Sequence, residues 1–256
     1  MNEIYVKLLE LIDQRKPAAL VTVIATTGST PRETGTKMLV MPDGSSYGTV
    51  GGSSVEAKII AAAIISLREG KCLKISHNLD DEGQHDTGMI CGGTMEFFIE
   101  PVNAAPLLYI FGAGHVALPL ARLASQVGFD YIIIEDRPEF ATRERFPEAR
   151  ELLVGKPAEL AGQINFSSND YIAIVSRSHE IDFQVLRRVI TRPFHYLGLI
   201  GSKKKRVQLF DRLRDEGVSA EQINSIHTPI GLEIGAESPQ EIAVSIVAEL
   251  IKIKNT

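Results

Sequence analysis

The 256-residue sequence is poor in cysteine, with only Cys72 and Cys91. Two thiols cannot supply the four cysteines of even one iron–sulfur cluster, so we expect this chain to hold none. They also exclude the disulfide framework of a small secreted protein. Met1 leads directly into an amphipathic stretch with no signal peptide, so we expect a cytoplasmic, reducing compartment.

The sequence also lacks long apolar runs and any excess of positive charge. No run approaches the roughly 20 apolar residues that span a bilayer, so we expect no membrane association. A formal net charge of -5 does not favour nucleic acid as a partner. Cys72, His77, His85 and Cys91 do not have the ligand spacing of a zinc site, and no acid–base dyad stands out. These absences favour a binding protein over an enzyme.

The middle of the chain contains a pattern typical of nucleotide binding. An apolar strand over 107–111 runs into Gly112-Ala113-Gly114-His115 and then into a helical pattern. Gly112 permits a tight turn, and Gly114 lets a pyrophosphate approach the backbone. His115 would place an imidazole beside that pyrophosphate. The order of strand, glycines and helix predicts a Rossmann unit.

A second strand, over 131–134, delivers Glu135 and Asp136 about 20 residues after the glycines, where a Rossmann fold binds ribose. A carboxylate at this position accepts hydrogen bonds from ribose hydroxyls and repels a 2′-phosphate. If the unit binds a nicotinamide cofactor, we therefore expect NAD to be favoured over NADP.

Two more apolar strands, over 171–175 and 195–199, extend this half of the chain. The first leads into His179, which is either a ligand contact or a partner of Asp182. We predict an α/β protein, with a Rossmann-like, mostly parallel sheet covered by helices on both faces over 104–256. Residues 1–103 form a smaller N-terminal α/β domain with mixed strands. A final apolar helix over 239–253 packs within its own chain or across a homodimer.

The N-terminal half carries two glycine-rich segments beside predicted strands. A polar loop over 26–35 includes Arg32, and a turn at Gly51-Gly52-Ser53 precedes a long helix. Ser53 and Glu56 have capping-box spacing, so this turn presents free N–H groups and is suited to an anion. The alternative is an ordinary strand-to-helix turn.

Cys91 is followed directly by two glycines, Gly92 and Gly93. Glycines beside a thiol leave the sulfur unobstructed and allow close backbone approach, as a metal-ligand or nucleophile site requires. The alternative is a small buried hydrophobic residue, the usual state of a free cysteine.

These segments together resemble the xanthine dehydrogenase accessory proteins, the XdhC and CoxI family. The resemblance covers nearly the whole chain, and the joint order of its motifs is more specific than any one of them. Two departures are Ser53, where many relatives are expected to have a third glycine, and Ser54, where some have a second cysteine. The motifs that carry the resemblance are Gly28-Ser29-Thr30-Pro31-Arg32, Gly48-Thr49-Val50-Gly51-Gly52 with Glu56, Cys91-Gly92-Gly93 before Glu100-Pro101, Phe111-Gly112-Ala113-Gly114-His115-Val116, Ser176-Arg177-Ser178-His179 with Asp182, Gly198-Leu199-Ile200-Gly201-Ser202, Pro229-Ile230-Gly231-Leu232 and Pro239-Gln240-Glu241-Ile242.

The resemblance implies a cytoplasmic helper in purine metabolism that binds molybdenum cofactor and protects it while its terminal sulfur is installed. Such a helper passes the cofactor to an apo molybdenum hydroxylase such as xanthine dehydrogenase, and a cysteine desulfurase is a second implied partner. Molybdopterin carries a phosphate and soft dithiolene sulfurs. We expect the turn at Gly51, Gly52 and Ser53 to supply N–H groups, Arg32 to supply a cation and Cys91 to supply the soft metal ligand. The alternative function is an NAD(P)-dependent oxidoreductase or a subunit of xanthine dehydrogenase itself.

Overall fold

A computed structural model describes residues 2–79, 93–102, 105–201 and 203–256. The chain divides into two compact units, Met1–Ala104 and Ala105–Thr256, each with its own sheet and its own hydrophobic core. Among the described residues, no helix has both the length and the hydrophobicity to span a bilayer.

The N-terminal unit is a five-stranded sheet with one helix on each face. Its elements are α1 (Asn2–Asp13), β1 (Ala18–Gly28), β2 (Lys37–Val40), β3 (Ser46–Gly48), α2 (Ser53–Glu69), β4 (Leu73–Asn78) and β5 (Gly93–Val102). The strand order is β3-β2-β1-β5-β4, and every pairing is antiparallel. The expectation of mixed strands is therefore wrong for the described residues, because each described strand reverses direction relative to its neighbour in the sheet.

The central strand β1 shows why this sheet is covered on both faces. Ala19, Val21 and Val23 point to the α2 face, whereas Ala18 and Leu20 pack on the α1 side. Successive side chains of a strand alternate between faces, so an uninterrupted apolar strand must be buried on both.

The start of α2 differs from the predicted capping box. The N-cap residue is Gly52, which has no side chain to accept a hydrogen bond, and Ser53 is already the first helical residue. The Glu56 side chain accepts a hydrogen bond from the Thr49 hydroxyl instead. The first backbone N–H groups of α2 therefore receive no side-chain cap from Gly52.

The C-terminal unit is a six-stranded sheet with helices on both faces. Its elements are β6 (Leu107–Phe111), α3 (Ala117–Gln126), β7 (Asp130–Glu135), β8 (Glu151–Val154), α4 (Pro157–Gln163), β9 (Tyr171–Ile174), α5 (His179–Val189), β10 (Tyr196–Leu199), α6 (Lys203–Asp215), α7 (Ala220–Asn224), β11 (Ile226–His227) and α8 (Pro239–Lys254). All of its strand pairs are parallel, which confirms the predicted Rossmann-like sheet.

The strand order is β8-β7-β6-β9-β10-β11, which is the 3-2-1-4-5-6 order of dinucleotide-binding folds. The order reverses between β6 and β9, and ligands of such sheets bind outside the carboxyl ends of the strands at that point. One connection is unusual, because residues 136–150 join β7 to β8 without a helix.

The final helix α8 packs within its own chain. Its buried residues Ala243, Ile246 and Leu250 belong to the same core cluster as Leu120 and Ala124 of α3. The apolar stripe predicted from the sequence therefore covers one face of the parallel sheet. The opposite face is covered mainly by α4 and α5.

Candidate functional site

The glycine loop after β6 lies against the end of β9, at the point where the strand order reverses. Gly112 has φ +116°, and a Cβ atom built there would lie 2.7 Å from the Val175 carbonyl oxygen and 2.9 Å from Ser176 Cα. Both the backbone angle and the close packing require glycine here. Gly112 is therefore a structural requirement of the crevice.

Gly114 and His115 form the open part of this loop. A Cβ atom at Gly114 would have no neighbour within 4 Å, and His115 is exposed. The N–H groups of Gly114, His115 and Val116 have no hydrogen-bond partner within the described part of the chain. Unpaired N–H groups that converge before a helix are the usual cradle for a phosphate.

The intervening residue, Ala113, is held at both of its polar backbone atoms. Its N–H donates to Glu135 Oε2 at 2.8 Å, and its carbonyl oxygen accepts from Arg145 Nη2 at 2.8 Å. Arg137 donates to both oxygens of Glu135, from Nε at 2.9 Å and from Nη2 at 3.0 Å. The Arg137 guanidinium lies 3.8 Å from the centroid of the Phe140 ring. The helix-free connection therefore clamps the glycine loop in place.

These contacts determine the ionisation of Glu135. Burial alone would raise its pKa, but the hydrogen bonds from Arg137 and from the Ala113 N–H, together with the hydrogen bond shared with Asp136, outweigh burial and lower the pKa to about 2. Glu135 is therefore a carboxylate at neutral pH. Both of its oxygens accept hydrogen bonds from the protein.

The neighbouring Asp136 is also paired. Arg177, in the loop after β9, donates to its two oxygens at 3.0 and 2.8 Å. The hydrogen bond with Glu135 and partial burial raise the pKa of Asp136, while the charge of Arg177 opposes this rise. Because β6 lies between β7 and β9, the ion pair spans the end of β6. Neither predicted acid offers the free carboxylate on which the expected preference for NAD depends.

His179 is the first residue of α5, and its side chain is 60% exposed. Its Nδ1 atom lies 3.8 Å from Asp182 Oδ2, beyond hydrogen-bond distance. Asp182 itself is only 3% exposed and accepts the Ser176 N–H at 3.2 Å. Burial raises the pKa of Asp182 to about 7, although the hydrogen bonds from Ser176 oppose this rise. Asp182 therefore titrates near neutral pH beside the crevice.

Two cavities open at the carboxyl edge of the parallel sheet. One has a volume of about 670 Å³, and its lining includes Asp136, Lys156 and Arg188; we call it the β7–β8 cavity. The other, about 570 Å³, is lined by Gly201 after β10 and by residues 229–236. The first cavity is also lined by Ile181, Gln184 and Arg187 of α5, the helix that follows β9. The second cavity lies beyond β9 in the strand order.

A partly buried carboxylate fixes the loop that lines the second cavity. Glu249 of α8 accepts the Gly231 N–H at 2.8 Å and the Tyr196 hydroxyl at 2.5 Å. His227 Nδ1 lies 3.0 Å from the other Glu249 oxygen. These contacts lower the pKa of Glu249 despite its burial, which alone would raise it.

In the N-terminal unit, the structure brings together segments that are distant in sequence. A Cβ atom at Gly93 would lie 2.5 Å from the Thr27 carbonyl oxygen and 2.7 Å from that of Ser29. A Cβ atom at Gly51 would lie 3.8 Å from Pro31 Cγ. The Gly51 turn and the strand that follows Cys91-Gly92 therefore both lie against the loop that carries Arg32.

Cys91 lies outside the described residues, and the side chain of Ser53 is likewise not described. Arg32 is exposed, and a Cβ atom at Gly52 would have no neighbour within 4 Å. Within the described ranges, no group of three or more His, Cys, Asp or Glu side chains could hold a metal ion. The role of Cys91 as a metal ligand stays a prediction.

Arg137 and Arg145 are site residues that were not predicted from the sequence, whereas Arg177 was predicted only as part of the motif at 176–179. Arg137 and Arg145 hold the glycine loop through Glu135 and Ala113, and Arg177 pairs with Asp136. The consecutive residues Glu-Asp-Arg at 135–137 could have indicated the role of Arg137, because a buried acid at the end of a strand needs a cation as its partner.

This sheet and its glycine loop define an XdhC-type Rossmann domain, since residues 108–250 match the XdhC Rossmann domain. Residues 11–76 match the family described as XdhC and CoxI. The chain belongs to the XdhC and CoxI family, and the resemblance seen in its motifs is confirmed.

Individual relatives extend the comparison. The chain is 36% identical over 253 residues to the uncharacterized protein YqeB of Escherichia coli K12. The aligned region covers 98% of this chain and 46% of YqeB. It is 32% identical over 161 residues to a Bacillus subtilis protein named as a probable subunit of xanthine dehydrogenase, covering 63% of this chain and 47% of that protein. The chain thus spans about half the length of these two relatives.

Two further proteins match nearly the whole chain. The molybdenum cofactor insertion chaperone PaoD of Escherichia coli K12 is 22% identical over 276 residues, covering 96% of this chain and 86% of PaoD. A crystal structure of a xanthine dehydrogenase from Bacillus halodurans has a TM-score of 0.55 and 23% identity, covering 98% of this chain and 95% of that chain. At this identity, the second match supports the fold alone.

Proposed function

We propose that this protein is a molybdenum cofactor-binding chaperone that protects the cofactor and inserts it into a molybdenum hydroxylase such as xanthine dehydrogenase. The observation that carries the proposal is the meeting of three glycine-rich segments in the N-terminal unit. Gly93 lies against Ser29, and Gly51 lies against Pro31, so both segments border the loop of Arg32.

The chemistry of the cargo fits these residues. A phosphate suits the N–H groups at the start of α2, which Gly52 does not cap, together with the exposed cation of Arg32. A flat pterin needs close backbone approach, which the open position at Gly52 permits. Cys91 precedes Gly93 by two residues in the sequence, and its thiolate would be a soft ligand for molybdenum.

Relatives support the same proposal. PaoD is named as a molybdenum cofactor insertion chaperone, and a Bacillus subtilis relative is named as a probable subunit of xanthine dehydrogenase. We therefore propose an apo molybdenum hydroxylase as the partner that receives the cofactor, and a cysteine desulfurase as the partner that sulfurates it.

The test compares Cys91→Ser with the matched control Cys72→Ser, which removes the other, exposed thiol. Parent and variants are loaded with molybdenum cofactor and desalted, and the retained molybdenum and the activation of an apo hydroxylase are then measured. We expect Cys91→Ser to retain less cofactor and to activate less hydroxylase, because a hydroxyl is a harder donor than a thiolate. We expect Cys72→Ser to match the parent.

Equal retention and equal activation by Cys91→Ser would contradict the assignment of Cys91. Failure of the parent itself to retain cofactor would contradict the chaperone function. Oxidation of xanthine by the purified chain would instead favour a catalytic role in such a hydroxylase.

A second function is favoured by one observation in the C-terminal unit. The free N–H groups of Gly114 and His115, at the strand-order reversal, support the binding of a nucleotide such as NAD(P). The pyrophosphate would lie at these N–H groups and the ribose near Asp136. Nucleotide binding is compatible with a chaperone and is required by the alternative, an NAD(P)-dependent oxidoreductase.

A further inference from the structure

Among the residues that the structure describes, the charged side chains lining the β7–β8 cavity are paired except for one. Asp136 pairs with Arg177, Lys156 pairs with Glu159, and Arg187 pairs with Glu216. Arg188, which lines the same cavity, is exposed and has no carboxylate partner within the described ranges. The uncompensated charge of this lining is therefore positive, and its complement is an anion.

Both predicted acids already accept hydrogen bonds from the protein. Glu135 accepts from Ala113 and Arg137, and both oxygens of Asp136 accept from Arg177. Each carboxylate oxygen has a second lone pair, so a ribose diol that binds Asp136 shares this carboxylate with Arg177. A phosphate at the 2′ position instead accepts hydrogen bonds from the guanidinium groups themselves.

We propose that the β7–β8 cavity binds a nucleotide with a phosphomonoester on its ribose, as in NADP, and that Arg177 and Arg188 select it over the unphosphorylated nucleotide. This inference rests on the proposed nucleotide site at Gly114. It reverses the preference expected from the sequence, because Arg177 offsets the charge of Asp136 that would repel the phosphate.

The two arginines have different parts in the selection. Arg188 supplies an unpaired charge, so its loss weakens the binding of the phosphorylated nucleotide only. Arg177 neutralises Asp136, so its loss also frees a carboxylate for ribose hydroxyls. Arg177 is 43% exposed, so its guanidinium remains accessible to a ligand while it is paired.

The experiment is a fluorescence titration of the full chain with NADPH and with NADH. We expect the parent to bind NADPH at least about tenfold more tightly, the effect of one charge-assisted hydrogen bond. Arg188→Gln is expected to lower the affinity for NADPH about tenfold and to leave the affinity for NADH unchanged. Arg177→Gln is expected to lower the affinity for NADPH and to raise the affinity for NADH.

The matched control is Arg214→Gln, which removes an equal charge from α6, where Arg214 pairs with Asp211. It should leave both affinities unchanged, and circular dichroism checks that every variant is folded. Binding of NADH as tight as that of NADPH would overturn the inference while keeping the nucleotide site. Binding of neither nucleotide would overturn both. A preference for NADPH that survives both Arg188→Gln and Arg177→Gln would refute the assignment to these residues.

Discussion

Replacement of Asp182 by asparagine should stabilise the protein at alkaline pH, because asparagine keeps a polar side chain of the same shape but does not ionise. Asp182 has a pKa of about 7 in the folded chain, against an ordinary value of 3.8. A raised pKa means that the folded state holds the proton more tightly. The favourable contribution of the protonated acid is therefore complete below pH 3.8, and it is lost as the pH rises through 7.

The size of the effect follows from this difference in pKa. At pH 8 the ionisation of Asp182 lowers the free energy of unfolding by roughly 4 kcal/mol, compared with a chain that has a non-titrating side chain at this position. At pH 5 the same loss is only about 2 kcal/mol. Asparagine has the same shape and retains an oxygen that accepts the Ser176 N–H. We therefore expect Asp182→Asn to raise the stability of the C-terminal unit at pH 8 and to flatten its pH dependence.

The assay is urea unfolding between pH 5 and pH 8, followed by circular dichroism, with hydrogen exchange of β9 amides to assign the transition to the C-terminal unit. The control is Asp215→Asn, at an exposed position at the end of α6. Carbon-13 titration of the Asp182 carboxyl measures its pKa directly. A measured pKa below 5, or an unchanged pH slope in Asp182→Asn, would refute the reasoning.

Three other predictions concern the glycine loop. Glu135→Gln should cost about 3 kcal/mol at pH 7, because the stabilisation by the carboxylate is present above pH 4.5 and is lost only as the pH falls toward 2; urea unfolding at pH 7 measures the loss, and a change below about 1 kcal/mol would contradict it. Gly112→Ala should destabilise the fold by about 2 kcal/mol or more, because its Cβ atom meets Val175 and its φ is +116°. Gly114→Val should remain folded but lose nucleotide binding, and a variant that is folded and binds normally would make this loop purely structural.

The local order of the Rossmann half could be predicted from the sequence. An apolar strand, two glycines and a helix are contiguous, so one short segment of sequence is enough to predict the phosphate loop. The antiparallel N-terminal sheet could not be predicted in the same way, because β1 and β5 pair across more than 60 intervening residues. Which strands pair over such distances depends on packing and not on local pattern.

The site was predicted in part for the same reason. The position of Glu135 and Asp136 follows from their distance to the glycines, but their partners do not. Arg177 reaches Asp136 from 41 residues away, and Arg145 reaches the Ala113 carbonyl from 32 residues away. A sequence pattern gives the residue type at a strand end, whereas the protonation and availability of that residue depend on neighbours that only the fold supplies.

The clamp on Ala113 has a consequence for the thermodynamics of binding. A flexible loop loses conformational entropy when it closes on a ligand, and that loss subtracts from affinity. Here the peptide groups on both sides of Ala113 are immobilised by Glu135 and Arg145 during folding. An anion that reaches Gly114 therefore meets a preorganised surface. The entropic cost of ordering this loop is part of the folding free energy of the domain, so it does not reduce the affinity for the ligand.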